Sequence, residues 1–167
     1  MPIVEARPAT ATPSASASPV ASPKPTPVKP PVPPKVPGYT LGAAPRSVPN
    51  PMTGVKGAAD VFGAMTVRSV SRKGAPVGLL FLFAVRPQYL DNSQVTKAVA
   101  SRLATSVTKG GVPLHQQRFG RRTVSAGSSG KNGTIVLWCA DGVLTVVVGG
   151  ADPAVVTGFA KALSAGS

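Results

Sequence analysis

Residues 135–148 read IVLWCADGVLTVVV, two β-prone runs separated by Asp141-Gly142. An Asp-Gly pair in this setting is typical of a two-residue hairpin turn of the primed type, in which both central residues take positive φ angles. Because so short a turn fixes the register, we predict an antiparallel pair of strands. Its facing partners should be Ala140 and Val143, Cys139 and Leu144, Trp138 and Thr145, Leu137 and Val146, and Val136 and Val147.

This register divides the hairpin side chains between two faces. The face predicted to point into a core comprises Ile135, Leu137, Cys139, Leu144, Val146 and Val148. Cys139 is then a small buried hydrophobe rather than a nucleophile. The opposite face carries Val136, Trp138, Thr145 and Val147, a set too apolar for an ordinary wet surface. Either another part of the domain covers this face or a partner does, so these four residues are a candidate protein interface.

The region around the hairpin reads as further strands and helices. Strands are predicted at 65–72 and 77–85, and shorter ones at 113–119 and 123–128. A helix should begin at capping residues 91–93 and end before glycines 110–111, and a second should begin at Asp152 with Pro153 in its first turn. The order ββ-α-ββββ-α predicts an α+β fold with a mainly antiparallel sheet of five to six strands and two helices packed on it.

The N-terminal third differs from the rest in composition. Of the 19 prolines, 15 lie at or before Pro51, among many Ala, Ser and Thr residues. Proline removes amide donors and favours extended polyproline conformation. We therefore expect residues 1–51 to be a disordered tether and residues 52–167 to be one small basic α+β domain.

The inventory of reactive residues is short. The chain has one His, one Cys and five acidic residues, of which Asp91 and Asp152 read as helix caps and Asp141 belongs to the hairpin turn. Neither a metal cluster, nor a carboxylate pair, nor a phosphate-binding glycine motif can be assembled from these residues. We predict a protein that is not an enzyme and has no metal or cofactor site.

Basic residues are concentrated in one segment of the domain. The net charge is +13, and residues 51–167 account for +9 of it. The segment QQRFGRR at 116–122 places Arg118, Arg121 and Arg122 around Phe119, and Lys131 lies in the next loop. An aromatic ring among cations is typical of contacts with single-stranded nucleic acid or another polyanion. These five residues are the candidate polyanion contact, although Phe119 could equally belong to the core.

The C-terminal third resembles a pattern found in small extracytoplasmic domains of actinobacterial envelope proteins. A basic residue introduces a strand at 122–124, the hairpin with Trp138 and Asp141-Gly142 follows, and a glycine-rich loop leads to a last helix. Such endings are similar to those of the outer domains of anti-sigma factors and of domains related to the lipoprotein carrier. The resemblance implies a location outside the cytoplasm and no particular activity.

These observations favour a binding or structural module of the bacterial cell envelope, displayed on a proline-rich tether. Its expected partner is a protein or an anionic envelope component, and a homo-oligomer is compatible with the sequence. The alternative is a cytoplasmic nucleic-acid-associated or regulatory module that uses the basic loop. No stretch of 18 apolar residues is present, so an extracytoplasmic location would need a membrane anchor or signal segment ahead of Met1.

Overall fold

The computed structural model describes residues 28–108, 112–130, 133–150 and 152–166. It contains one antiparallel sheet and three α-helices. The strands are β1 (Thr40–Gly42), β2 (Phe62–Arg72), β3 (Ala75–Val85), β4 (His115–Phe119), β5 (Arg122–Ser129), β6 (Gly133–Ala140) and β7 (Val143–Gly149), and the helices are α1 (Ala58–Val61), α2 (Ser93–Val107) and α3 (Pro153–Ala165). A 3-10 turn at Pro87–Tyr89 precedes α2.

The sheet has seven strands in the order β1-β2-β3-β7-β6-β5-β4. The predicted α+β class and antiparallel sheet are confirmed, but the predicted counts of five to six strands and two helices are too low. The extra strand is β1, which pairs with Ser69–Ser71 of β2 and lies inside the segment expected to be a tether. Three residues in a proline-rich context carry little strand signal, because their pairing is decided by the edge of β2 and not by their own propensity.

The hairpin of β6 and β7 has the predicted register. Ala140 pairs with Val143 and Trp138 pairs with Thr145. Asp141 and Gly142 have φ angles of 52° and 75°, as a primed turn requires. The local turn chemistry therefore sets the alignment of the two strands at the middle of the sheet.

Helices α1 and α2 cover one face of the sheet. The side chain of Asn92 caps α2 by accepting a hydrogen bond of 3.2 Å from the Val95 amide. Beneath α2, Leu103 packs with Phe83 and Leu144, and all three are almost fully buried. The rings of Phe83 and Phe62 lie 5.5 Å apart within this cluster. The core face predicted for the hairpin is thus correct for its central residues.

Cys139 departs from that prediction. Its side chain is exposed, whereas Ile135, Leu137, Leu144 and Val146 on the same face are buried. Cys139 lies one position before the end of β6 and lines an open cleft between the sheet and α2. Neighbouring atoms still exclude part of the water from the thiol, and this desolvation raises the pKa of Cys139. The prediction of a buried cysteine was therefore wrong.

Helix α3 covers the other face. Asp152 caps the helix by accepting a hydrogen bond of 2.9 Å from the Ala154 amide, and Pro153 occupies the first turn. The side chains of Val156, Phe159 and Leu163 are buried against the sheet. The apolar face of the hairpin lies under this layer, where the exposed fractions of its four side chains are: Val136 0%, Trp138 5%, Thr145 7% and Val147 0%.

Residues 28–39, here named the N-terminal strap, complete the cover beside α3. Val36 is only 5% exposed and joins the cluster under α3. The Thr66 hydroxyl on β2 donates a hydrogen bond of 2.6 Å to the carbonyl of Pro31. Of the two explanations for the apolar Trp138 face, the structure therefore selects cover by the chain itself, and the candidate protein interface at these residues is corrected to an internal packing surface.

Candidate anion-binding groove

The β4–β5 hairpin presents the predicted basic residues at its tip. Phe119 pairs with Arg122, so Gly120 and Arg121 form the turn between them. Gly120 has a φ of 63°, a left-handed conformation that glycine adopts without strain. Arg118 and Arg121 are exposed, and Arg122 is half-buried. The tight turn brings the three guanidinium groups to one end of the sheet.

Helix α3 supplies a fourth cation to the same place. A groove of about 770 Å³ lies between the hairpin tip and the last turns of this helix. Its lining consists of Arg118, Phe119, Gly120, Arg121, Arg122, Lys161, Ser164 and Ala165. A volume of this size would admit several units of a polymer or a ligand of drug size.

The electrostatic balance of the groove is strongly positive. The four basic side chains carry four formal charges, and among the described residues no carboxylate lines the groove. The C-terminal end of α3 contributes roughly −0.5 elementary charge from its unsatisfied carbonyls. This partial charge offsets a small part of the cationic field, so the groove should attract anions.

Arg118 and Arg121 are the cations most available to a ligand. Within the described ranges, neither side chain has a hydrogen-bond or ion-pair partner in the protein. Arg122 is held differently, since its guanidinium lies over the Trp138 ring at 5.9 Å from the centroid. Arg122 therefore anchors the groove to the core, while the other two arginines project into solvent.

Phe119 does not offer a stacking surface. Its side chain is 7% exposed and packs in the cluster under α3. Lys161 Nζ lies 5.4 Å from the centroid of the ring, on the groove side. The phenyl ring thus contacts a cation and is not free to stack with a nucleobase. Of the two roles that the sequence left open for Phe119, the structure shows the core role.

The sequence predicted some of the residues that line this groove, but not all of them. Arg118, Phe119, Arg121 and Arg122 come together in one groove, whereas Lys131 lies outside the described residues. Lys161 was missed, because it is 39 positions from Arg122 in the chain and only the packing of α3 brings it near.

Other kinds of site find less support in the structure. Among the described residues, no three His, Cys, Asp or Glu side chains are grouped so as to hold a metal ion. None of the described helices is long and apolar enough to cross a membrane. Comparisons with protein-family models, with curated proteins and with solved structures each found no match. The groove is therefore interpreted from its own geometry and charge.

Proposed function

We propose that this protein is a non-enzymatic binding module that captures an anionic polymer in the groove between the β4–β5 hairpin and α3. The observation that carries the proposal is the convergence of Arg118, Arg121, Arg122 and Lys161 on one open groove of about 770 Å³. Cations placed together in this way contact several charges of one polymer chain, and the release of counterions favours binding.

The non-enzymatic character rests on the chemistry of the lining. In the part of the chain that the structure describes, the groove has no carboxylate, imidazole or thiol that could transfer a proton or attack a substrate. Guanidinium groups stay protonated at all physiological pH values. They bind anions and do not act as bases.

The bacterial cell envelope is the setting we propose for this binding. The support is the proline-rich N-terminal sequence, which is suited to display a domain at a distance, together with the resemblance of the C-terminal third to extracytoplasmic envelope domains. The partner would then be an anionic component of the envelope. A cytoplasmic module that binds nucleic acid is the alternative, and it shares the same groove.

The test is a salt series of binding with the full chain and three polyanions: single-stranded DNA, anionic liposomes and anionic wall polymer. We expect saturable binding of one of them at physiological salt. The double variant R118Q/R121Q should weaken it and reduce the slope of log K against log salt by about 2, about 1 for each lost charge contact. The variant R46Q is the matched control, because Arg46 is exposed and does not line the groove.

Two results would contradict the proposal. The first is weak binding of all three polyanions that disappears as salt approaches physiological strength, since this is the behaviour of a diffuse positive field. The second is an equal loss of affinity in R118Q/R121Q and R46Q when both are compared per charge removed. Either result would show that binding comes from the net charge of the protein and not from the groove.

A further inference from the structure

A second cavity lies on the opposite side of the sheet from α3. It is a cleft of about 310 Å³ between α2 and strands β4, β5 and β6. Helix α2 packs mainly against β7 and α1, and the cleft opens between its other side and strands β4 and β5. The buried side chains of Leu137 and Leu144 form part of the cleft floor, and Cys139 lies at its edge.

Four polar side chains in the wall of the cleft have no internal partner in the part of the chain that the structure describes. Gln116 on β4 and Thr123 and Ser125 on β5 line it from the sheet, and Lys97 lines it from α2. Within the described residues, these side chains make no hydrogen bond to the protein. An amide, two hydroxyls and an ammonium group are therefore presented together above an apolar floor.

The strand register connects this cleft to the basic groove. Gln116 pairs with Ser125, and Arg118 pairs with Thr123 on the same face of the β4–β5 ladder. Facing side chains are about 5 Å apart, and successive pairs on one face are about 7 Å apart along the strands. Arg118 also lines the groove at the hairpin tip. A continuous row of polar groups thus runs from the groove, over Arg118, into the cleft.

We infer that the ligand of the groove is a hydroxyl-rich anionic glycan whose chain continues along this row into the cleft. The inference rests on the proposed function and names the class of its ligand. Each cavity has at least one cation, Arg118 in the groove and Lys97 in the cleft, and the neutral hydrogen-bonding groups of Gln116, Thr123 and Ser125 line the cleft. This arrangement suits a polymer that carries both charges and neutral hydroxylated units, and the apolar floor suits the C–H faces of sugar rings.

The aromatic residues argue against nucleic acid as the ligand. Single-stranded nucleic acid is bound by stacking of its bases on exposed aromatic rings. All Phe and Trp side chains of this protein are buried, and Tyr39 and Tyr89 are half-buried. Neither the groove nor the cleft offers a free ring, so recognition must rely on charge and hydrogen bonds.

The experiment compares uronic-acid oligosaccharides of two, four and eight units with polyphosphate and oligo(dT), on the full chain. We expect the affinity to increase with the length of the oligosaccharide, because only longer chains reach both cavities. The double variant T123V/S125A should bind the octasaccharide at least fivefold more weakly, as expected when about 1 kcal/mol of hydrogen bonding is lost, and should bind polyphosphate as before. Valine keeps the strand propensity of Thr123, and T40V is the matched strand control.

Cys139 provides an independent readout, because it is the only cysteine in the chain and lines the cleft. The octasaccharide should slow the alkylation of its thiol, and the disaccharide, which fits the groove alone, should not. The variant K97Q on the helix surface tests the same row without altering the sheet. It should weaken octasaccharide binding and leave disaccharide binding unchanged.

The outcomes separate this inference from the proposed function. If T123V/S125A and K97Q bind the octasaccharide like the native chain while R118Q/R121Q does not, the glycan row is wrong and the groove stands. If oligo(dT) binds most tightly, the ligand class is nucleic acid and the glycan inference is overturned. If the native chain binds no polyanion saturably, both the groove and the row are wrong.

Discussion

The ring of Tyr39 meets the ring of Phe159 edge-on, with 5.0 Å between the centroids and an angle of 66° between the planes. This contact joins the end of the N-terminal strap to the middle of α3. The guanidinium of Arg72, at the end of β2, also lies 5.6 Å from the Tyr39 centroid. The proline-rich part of the chain is therefore fastened to the folded domain by an aromatic ring held between a helix and a strand.

Replacement of Tyr39 by alanine should lower the free energy of unfolding by about 2 kcal/mol, because it removes a half-buried ring and its edge-to-face partner. The control is Y39F, which keeps the ring and should change stability by less than about 0.5 kcal/mol. Urea denaturation of the three proteins measures the difference. Equal losses in both variants would show that the hydroxyl, and not the ring, makes the contact.

Removal of residues 1–42 should destabilise the domain by about 3 kcal/mol, since Val36 and Tyr39 leave the layer over the sheet. It should also move the fluorescence emission of Trp138 to longer wavelength. Trp138 is the only tryptophan in the chain and is 5% exposed beneath this layer. A chain that starts at residue 28 retains the strap and is the control. Unchanged emission after the longer deletion would mean that α3 alone excludes water from Trp138.

Substitution of Cys139 by alanine should change the free energy of unfolding by less than about 0.5 kcal/mol, because the side chain is exposed. Leu137, two positions earlier on the same face, is buried, and L137A should cost about 3 kcal/mol. Thermal or denaturant unfolding tests the contrast. A large loss in C139A would restore the core role that the hairpin pattern predicts.

The raised pKa of Cys139 should change the rate of its alkylation in a predictable direction. Desolvation disfavours the thiolate, which is the nucleophile, so at neutral pH the thiol should react more slowly than a cysteine in an unstructured peptide. The rate should keep increasing above the pH at which the peptide rate levels off. Iodoacetamide labelling across a pH series, with the peptide as control, measures this. A midpoint at or below that of the peptide would contradict the partial desolvation of the thiol.

Substitution of Gly78 by alanine should destabilise the sheet by about 2 kcal/mol or more. A Cβ at this position would overlap the carbonyl oxygen of Val148, which belongs to the backbone of the neighbouring strand and cannot rotate away. Gly130 is the matched control, since a Cβ there meets open space. G130A should be within about 0.5 kcal/mol of the native chain. Equal stability of the two variants would show that β3 and β7 can separate locally.

Features that depend on neighbouring residues were predictable from the chain. The Asp141-Gly142 turn set the register of the central hairpin, and the caps at Asn92 and Asp152 set the starts of α2 and α3. Three of the four groove cations were predicted because the hairpin itself holds them together. In each case the interaction spans a few residues, so its chemistry is written in a short stretch of sequence.

Features that depend on which elements pack together were decided by the tertiary structure. The strand β1, the cover over Trp138 and the arrival of Lys161 at the groove all join residues far apart in the chain. The alternation of core-facing side chains along β6 includes Cys139, but this side chain is exposed because α2 does not cover it fully. Periodicity assigns a side chain to a face, but burial requires a second layer above that face, and the position of that layer follows from the packing of the whole domain.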